Sequence, residues 1–428
     1  MARANRPGGP DMDDMEVPDM ARAEKIRMVE GGVLAARGFR AAGVPAAIKY
    51  EGRNDVALLV ADAPCAAAAV FTTNKVAAAP VLYDREVAKG GRVQAILANS
   101  GCANACTGEA GRRDAARSAK AVAETLGIDL RHVMVASTGV IGRPLPMDRL
   151  LDGMKRAAAA LGDSPENAMD AARAIMTTDT RPKQAAAQVR IGGKTVTVGG
   201  MVKGSGMIEP NMATMLGFIA TDAAISPAML RRAIKLAVAR SFNRLVVDGD
   251  ESTNDSLFLL ASGCAGNAVI SRAGEDFGLF LEALTAVAVS LSRQMAADGE
   301  GATKFVSVTV KGARSEREAE RAARAVAKSP LAKTSWFGRD PNWGRVLAAV
   351  GYSGADVDDG KAEVFYGREW AFRRGKVADA GQLKRLEKVM EAPELEITVD
   401  LHLGDGEATI YTCDLSLDYV HINADYTT

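Results

Sequence analysis

Short apolar runs separated by turn residues are the feature that most restricts the fold of this chain. Ranges 56–60, 66–71 and 93–98 lie between segments rich in Asp, Gly and Asn, which is typical of buried strands. Alanine-rich stretches at 109–126 and 147–161 have helical periodicity. Because the two types alternate without a strict β-α-β order, we predict an α/β (α+β) fold, with mixed and antiparallel sheets layered with helices.

The same patterns predict further elements along the chain. Residues 189–198 alternate around Gly192-Gly193 and predict a hairpin. The other predicted strands are 132–136, 245–247, 256–260, 305–310, 346–350, 395–403 and 408–411. The other predicted helices are 227–241, 276–295 and 315–327. With 428 residues, 48% of them hydrophobic, the chain is long enough for two packed units, although composition marks no border between them.

Composition and charge argue against several classes of protein. Lysine plus arginine and aspartate plus glutamate both total 53, so no net field attracts nucleic acid or an anionic membrane. The three histidines lie far apart and the five cysteines lack zinc-ribbon spacing, so we expect no metal site and reduced thiols in the cytoplasm. Residues 1–25 lack an apolar signal core and predict a disordered tail. No apolar run reaches the length of about 18 residues that predicts a membrane span.

The segment 203–216 is the most unusual stretch of the sequence. Glycines and a proline precede an apolar run that begins at a hydroxyl residue, Thr214, which predicts a strained loop leading into a strand. One interpretation is a surface turn in which this hydroxyl makes a hydrogen bond at a strand edge. The other is self-cleavage between Ala213 and Thr214. Cleavage frees an α-amine with a reference pKa of about 7.7 to 8.0, which can accept the proton of its own Oγ.

Acyl transfer at Thr214 also needs hydrogen-bond donors for the negative oxygen that develops. In the string ASTGVIG, Thr138 offers a hydroxyl beside the backbone N–H of Gly139, so this pair is a candidate oxyanion hole. A tight turn before a helix is the alternative interpretation of the same string. The residues alone leave both interpretations open.

Several strings resemble, in the same order, the ornithine acetyltransferase family of the cyclic arginine pathway. They include NSGCANACTG, STGVIG, MTTDT, VKGSGMIEPNMATMLGFIATDA, DGDESTNDS, DGEGATKF and DYVHINADYTT, and the similarity extends over residues 31–428. The resemblance implies a sandwich like that of N-terminal-nucleophile enzymes, cut between Ala213 and Thr214. It therefore implies an α chain of residues 26–213 and a β chain of residues 214–428, with two copies of each associated in a heterotetramer.

The resemblance also implies an activity. In the family, the acetyl group of N-acetylornithine passes to the threonine, ornithine leaves, and glutamate accepts the acetyl group to give N-acetylglutamate. No metal or bound cofactor is implied, and some members also accept acetyl-CoA as the donor. The alternatives are an N-terminal-nucleophile amidohydrolase or aminopeptidase, in which water takes the acyl group, and an uncut protein without enzymatic activity.

Residue by residue, the catalytic motif of the family falls on Thr214 as the nucleophile and on Thr138 with Gly139 as the oxyanion pair. The positions that match substrate contacts are Thr177, Lys203, Thr214, Glu300, Asn423 and Thr428. A lysine can offset an α-carboxylate and a glutamate can receive a cationic chain end, whereas the others supply neutral hydrogen bonds. Contacts from the last residues require the C-terminus to fold back onto the core.

Six further residues within the range of the resemblance are assigned no direct contact with substrate. Glu251 and Cys102 stand where threonine and asparagine are usual in the family, and we expect them to affect substrate preference and local stability. Four further residues have functional side-chain types, but we interpret them as supporting the site or the fold: Asp250, Asn254, Asp340 and Arg345.

Overall fold

The structure is a computed structural model that describes residues 25–209 and 215–425. The strands of this part are β1 (Arg27–Val29), β2 (Phe39–Val44), β3 (Val56–Phe71), β4 (Arg92–Asn99), β5 (Val133–Ser137), β6 (Lys183–Ile191), β7 (Lys194–Lys203), β8 (Leu216–Thr221), β9 (Ser256–Ala261), β10 (Phe305–Ala313), β11 (Glu363–Tyr366), β12 (Glu369–Arg373), β13 (Lys376–Val377), β14 (Glu394–Asp400) and β15 (Gly406–Cys413). The helices are α1 (Ala79–Ala88), α2 (Gly108–Leu126), α3 (Met147–Ala159), α4 (Pro165–Ala174), α5 (Pro227–Ala239), α6 (Glu275–Ala297), α7 (Glu316–Lys328), α8 (Pro330–Phe337), α9 (Trp343–Gly351), α10 (Ala380–Met390) and α11 (Leu417–Asp425).

The larger sheet has the order β1-β6-β7-β8-β9-β3-β4-β5, and β2 pairs with β3. The long β3 pairs with β2 and β4 through its first half and with β9 through its second, and its register against β4 shifts between Val60 and Cys65. The pairs β4–β5 and β8–β9 are parallel, whereas the other pairs are antiparallel. This confirms the predicted mixed sheet.

Helices and the two halves of this sheet form successive layers. α5 and α6 pack against one face of the half that contains β6 to β9, and α2 and α3 pack against the half that contains β3 to β5. A central core combines side chains of both halves, such as Leu59 and Ile96 of one with Phe218 and Phe258 of the other. The two phenylalanine rings stack with centroids 5.3 Å apart. The layered packing follows from strands whose residues are apolar on both faces.

The smaller sheet has the order β13-β12-β11-β14-β10-β15 and a core of its own. α7, α9 and α10 contribute to that core, and Trp336 and Tyr366 are its largest fully buried side chains. α6 leads from the larger sheet into β10, and α11 follows β15. By length and composition alone α6 could cross a membrane, but 61% of its apolar window is buried inside the fold.

Local turn signals predicted the hairpin correctly. β6 and β7 meet at Gly192 and Gly193, whose φ angles of 54° and 77° lie in the left-handed region that glycine enters without steric cost. The predicted strands at 56–60 and 66–71 are parts of the single strand β3. The tail predicted for residues 1–25 lies outside the described residues, apart from Lys25.

Two predicted strands are wrong. Residues 346–350 belong to helix α9, in which Val346, Ala349 and Val350 form the buried face. An apolar run of five residues is too short to separate a helical period from a strand period. In the range 245–247, Leu245 makes an isolated bridge to Tyr411, and no described strand includes the segment.

Candidate active site

One cavity brings together most of the residues that the sequence singled out. Its lining includes Thr138, Gly139, Thr177, Lys203, Glu300 and Asn423. Ile208 and Met215, which stand on either side of the undescribed segment 210–214, also line it. Ala213, Thr214 and Thr428 lie outside the described residues. The chain therefore enters and leaves the segment that contains the predicted nucleophile at the wall of this cavity.

A sharp turn at the end of β5 presents Thr138 and Gly139 to the cavity. The N–H of Thr138 donates a hydrogen bond of 3.0 Å to the carbonyl of Asn99 at the end of β4. Gly139 has a φ of 127°, and a Cβ there would lie 2.4 Å from the carbonyl carbon of Gly101, so only glycine fits. Within residues 25–209 and 215–425 the N–H of Gly139 has no hydrogen-bond acceptor. This geometry suits a pair of donors for a developing oxyanion.

Lys203 supplies a positive charge to the same wall. It ends β7, is only 8% exposed, and its Nζ donates a hydrogen bond of 3.3 Å to Oγ1 of Thr138. Because the Thr138 oxygen accepts this bond, its own proton is left for a second partner. Burial lowers the pKa of Lys203, although the Asp179 carboxylate opposes this shift. Because Lys203 is buried, its ammonium group can interact strongly with a substrate carboxylate or a developing oxyanion.

A buried charge network behind the cavity was missed by the sequence analysis. Nζ of Lys183 lies 2.6 Å from Asp179 and 2.5 Å from Asp298, and all three side chains are buried. The Asp179 carboxylate also accepts hydrogen bonds from the N–H groups of Thr177, at 3.0 Å, and Gly204, at 2.7 Å. Burial acts to raise the pKa of Asp179, but nearby ammonium groups, Lys183 foremost, bring it below the usual value. Asp179 thereby fixes two loops of the cavity relative to each other.

Glu300 approaches the cavity from the turn between α6 and β10. Its N–H donates a 2.9 Å hydrogen bond to the carbonyl of Ser205, and a Cβ on Gly206 would lie 2.3 Å from its carboxyl group. Nδ2 of Asn423, in α11, donates a hydrogen bond of 2.8 Å to Oε2 of Glu300. The C-terminal helix therefore folds back onto the core, as the sequence analysis required for a contact from Asn423.

Polar residues before β9 support the cavity wall. Asn254 donates from Nδ2 to the carbonyls of Ala103, at 2.6 Å, and Ser137, at 2.8 Å, which ties the turn after β5 to the start of β9. Its neighbour Asp255 is buried, and burial raises the pKa of its carboxyl well above the usual value. Asn254 also lines the cavity, so the supporting role expected for it stays a prediction.

The remaining singled-out residues lie at varied distances from this centre. Cys102 is buried and bridges to Thr138, so it lies beside the candidate oxyanion turn. The backbone carbonyl of Glu251 accepts a hydrogen bond from the side chain of Asn74, and the backbone carbonyl of Asp250 accepts one from the N–H of Glu209. Two residues belong to the helical region next to the smaller sheet and do not line the cavity: Asp340 and Arg345.

Comparison with known proteins gives a consistent set of similarities. The model of the ArgJ family matches residues 40–428. The arginine biosynthesis bifunctional protein ArgJ of Symbiobacterium thermophilum is 54% identical over 405 residues, which cover 94% of this chain and 100% of that protein. The protein of the same name from Geobacter sulfurreducens is 52% identical over 392 residues, which cover 92% of this chain and 99% of that protein. A match was also found to the crystal structure of the ornithine acetyltransferase of Mycobacterium tuberculosis with ornithine. The two sequences are 45% identical, the matched region covers 44% of this chain and 100% of that chain, and the TM-score is 0.42.

Proposed function

Because the chain belongs to the ArgJ family, we propose that it is an acetyltransferase of arginine biosynthesis that moves the acetyl group of N-acetylornithine to glutamate. The products are ornithine and N-acetylglutamate. One observation carries this proposal. The Thr138–Gly139 turn, the buried ammonium group of Lys203 and the carboxylate of Glu300 line one cavity, at the start of β8.

The enzyme activates itself by cutting the Ala213–Thr214 bond. Oγ of Thr214 attacks the carbonyl carbon of Ala213, the C–N bond breaks, and the hydroxyl proton goes to the departing nitrogen. Water then hydrolyses the ester, which leaves a carboxylate on Ala213 and a free hydroxyl and α-amine on Thr214. The pairing of β8 with β7 and β9 supports this proposal, because the new N-terminus would then begin two residues before a strand that is held on both sides. The resulting chains are residues up to 213 and residues 214–428.

Acetyl transfer then proceeds in two halves. The free α-amine takes the proton of the Thr214 hydroxyl, Oγ attacks the acetyl carbonyl, and the oxyanion is stabilised by the hydroxyl of Thr138 and the N–H of Gly139. The C–N bond breaks, the proton passes to the leaving amine, and ornithine departs. Glutamate repeats the sequence in reverse through its own α-amine and releases N-acetylglutamate. The same donors serve both halves, so the kinetics follow a ping-pong scheme.

The charges of the cavity fit an amino acid. Lys203 offsets the α-carboxylate that both substrates carry, and Glu300 receives the cationic chain end of the ornithine moiety. Thr177, Asn423 and Thr428 supply neutral hydrogen bonds. Since one residue provides both nucleophile and base, the proposed reaction uses no metal or bound cofactor, and acetyl-CoA is only a candidate second acetyl donor.

Two further properties belong to the proposal. We expect a heterotetramer of two α and two β chains that works in the cytoplasm. The free thiols support the second expectation, because unpaired cysteines persist in reducing compartments; all five cysteines are unpaired.

The decisive experiment is the variant Thr214→Ala. It should remain a single chain by intact mass and transfer no acetyl group, whereas the wild type should yield two fragments. Transfer is separated from hydrolysis by measuring acetate and ornithine with and without glutamate. Release of acetate without glutamate, as fast as ornithine forms with it, would replace the transferase by an amidohydrolase. An active, uncut Thr214→Ala protein would refute the mechanism.

A further inference from the structure

Three hydrogen bonds to backbone groups hold Met207 and Ile208, just before the undescribed segment. The carboxylate of Asp248 accepts from the N–H groups of Met207, at 2.6 Å, and Ile208, at 2.8 Å. The N–H of Val247 donates a hydrogen bond of 2.7 Å to the carbonyl of Ile208. Met207 has a φ of 57°, a left-handed conformation that is costly for a residue other than glycine. Such a conformation persists only where the surroundings hold it, and these three hydrogen bonds do so.

The side chain of Glu209 anchors the same segment to a different part of the fold. Its Oε2 accepts a 2.5 Å hydrogen bond from Nζ of Lys328, and its Oε1 lies 3.8 Å from NH1 of Arg324. Both cations stand on α7, which packs on the smaller sheet. The N–H of Glu209 also donates a 3.0 Å hydrogen bond to the carbonyl of Asp250. Glu209 is 8% exposed, whereas the side chain of Lys328 is 44% exposed, so the carboxylate end of the pair is the part shielded from solvent.

The residue after the segment is also held in place. The N–H of Ser256 donates a hydrogen bond of 2.9 Å to the carbonyl of Met215, and β8 begins at the next residue. Five residues, 210–214, therefore connect two immobilised points. The bond proposed to be cut, Ala213–Thr214, lies within this short connection.

We propose that Asp248, Glu209 and Lys328 form a clamp that sets the rate of self-cleavage by fixing the chain on the N-terminal side of the cut bond. The inference rests on the proposed function, because it assumes that the Ala213–Thr214 bond is the one that breaks. Attack of a hydroxyl on a carbonyl depends steeply on geometry, and a displacement of about 1 Å can cost about 100-fold in rate. Met207, Ile208 and Glu209 lie four to six residues before Ala213, so loosening them slows the attack.

The Glu209–Lys328 pair of the clamp acts on processing and not on the transfer reaction. Neither Glu209 nor Lys328 lines the cavity, and the contacts described for Thr138, Lys203 and Glu300 involve neither of them. Once the bond is cut, the N-terminal side no longer determines where the Thr214 hydroxyl lies, because that residue is then carried by β8. A molecule that has been cut should turn over at the normal rate whether or not the Glu209–Lys328 pair is intact.

The test follows cleavage of freshly synthesised full-length chain over time, by denaturing gel and intact mass. Glu209→Gln and Lys328→Gln should each slow the appearance of the two fragments by about 10- to 100-fold. Because both changes break one pair, the double variant should be no slower than the slower single variant. Lys328→Arg keeps the charge and should recover most of the rate. The side chain of Lys328 is 44% exposed, so its replacement is compatible with folding.

Arg321→Gln is the matched control. It removes a cation from the same helix, whose partner is Glu318 at 3.8 Å, and should be cut at the wild-type rate. For every variant, kcat and KM are measured per cut molecule, together with the melting temperature. The clamp predicts slow cutting with unchanged kcat and KM.

Each contrary outcome has a distinct meaning. If wild-type protein is never cut, the proposed function falls. If the wild type is cut and both glutamine variants are cut as fast as the wild type, the clamp is refuted while the proposed function stands. A loss of kcat per cut molecule in proportion to the slower cutting would also refute the clamp, since that result indicates general damage to the fold.

Discussion

Replacing Thr138 by valine removes one hydrogen-bond donor while preserving the shape of the side chain. The residue is 8% exposed, so valine can occupy its site, but Oγ1 and its proton are lost. Removing one oxyanion donor costs about 10²- to 10³-fold in kcat, or about 2.7 to 4 kcal/mol. Nζ of Lys203 also loses the oxygen to which it donates at 3.3 Å, which should lower the free energy of unfolding because a buried ammonium group is left without that acceptor.

The assay compares Thr138→Val with Thr138→Ser, which keeps the hydroxyl. Cleavage of new chain and transfer from N-acetylornithine to glutamate should both slow in the valine variant, because one oxyanion hole serves both reactions. Thr138→Ser should retain most of each rate. If the valine variant kept the wild-type kcat and cleavage rate, Thr138 would not stabilise the oxyanion. If only KM rose, the residue would contribute to substrate binding and not to the transition state.

Three further changes test other parts of the account. Gly139→Ala places a Cβ 2.4 Å from Gly101, so it should abolish cleavage by displacing the turn, and normal processing on a gel would contradict that geometry. Asp179→Asn leaves buried ammonium groups short of a partner and should lower the free energy of unfolding by about 3 to 5 kcal/mol in denaturant titrations at neutral pH. The pKa of Asp179 is lowered in the fold, so its contribution to the free energy of unfolding is complete above the reference value of about 3.9 and is lost as pH falls through the folded value. If the free energy of unfolding changed with pH in the same way in wild type and variant at acidic pH, this reasoning would be refuted. Asn423→Ala removes the 2.8 Å hydrogen bond to Glu300 and should raise KM for N-acetylornithine more than it lowers kcat, and steady-state kinetics with an unchanged KM would argue against it.

Local patterns in the sequence predicted the elements whose signal is contained within a few residues. The Gly192-Gly193 turn is an example, because positive φ angles and strand alternation are both local properties. The strand predicted at 346–350 was wrong because the conformation of this run depends on residues outside it. Its place in α9 depends on the cap at Asn342, whose Oδ1 accepts a hydrogen bond from the N–H of Arg345, and on burial against the smaller sheet.

The candidate site could be assembled from sequence only through resemblance to a family. Lys203 and Glu300 are far apart in the chain, and no local rule states that the end of β7 meets the turn after α6. The structure brings both to one cavity, although their roles stay predictions. The pair of Lys183 with Asp298 was missed because charged residues are normally solvated, and only a contact across 115 positions shows that both are buried.

Acetylation of Thr214 is tested most directly by intact-mass analysis of the purified enzyme after incubation with N-acetylornithine and no glutamate. We expect two fragments, of which the C-terminal one begins at Thr214 and carries one additional acetyl group that disappears when glutamate is added. A fully active enzyme that remains one continuous chain, or one that carries no acetyl group on that residue, would contradict it.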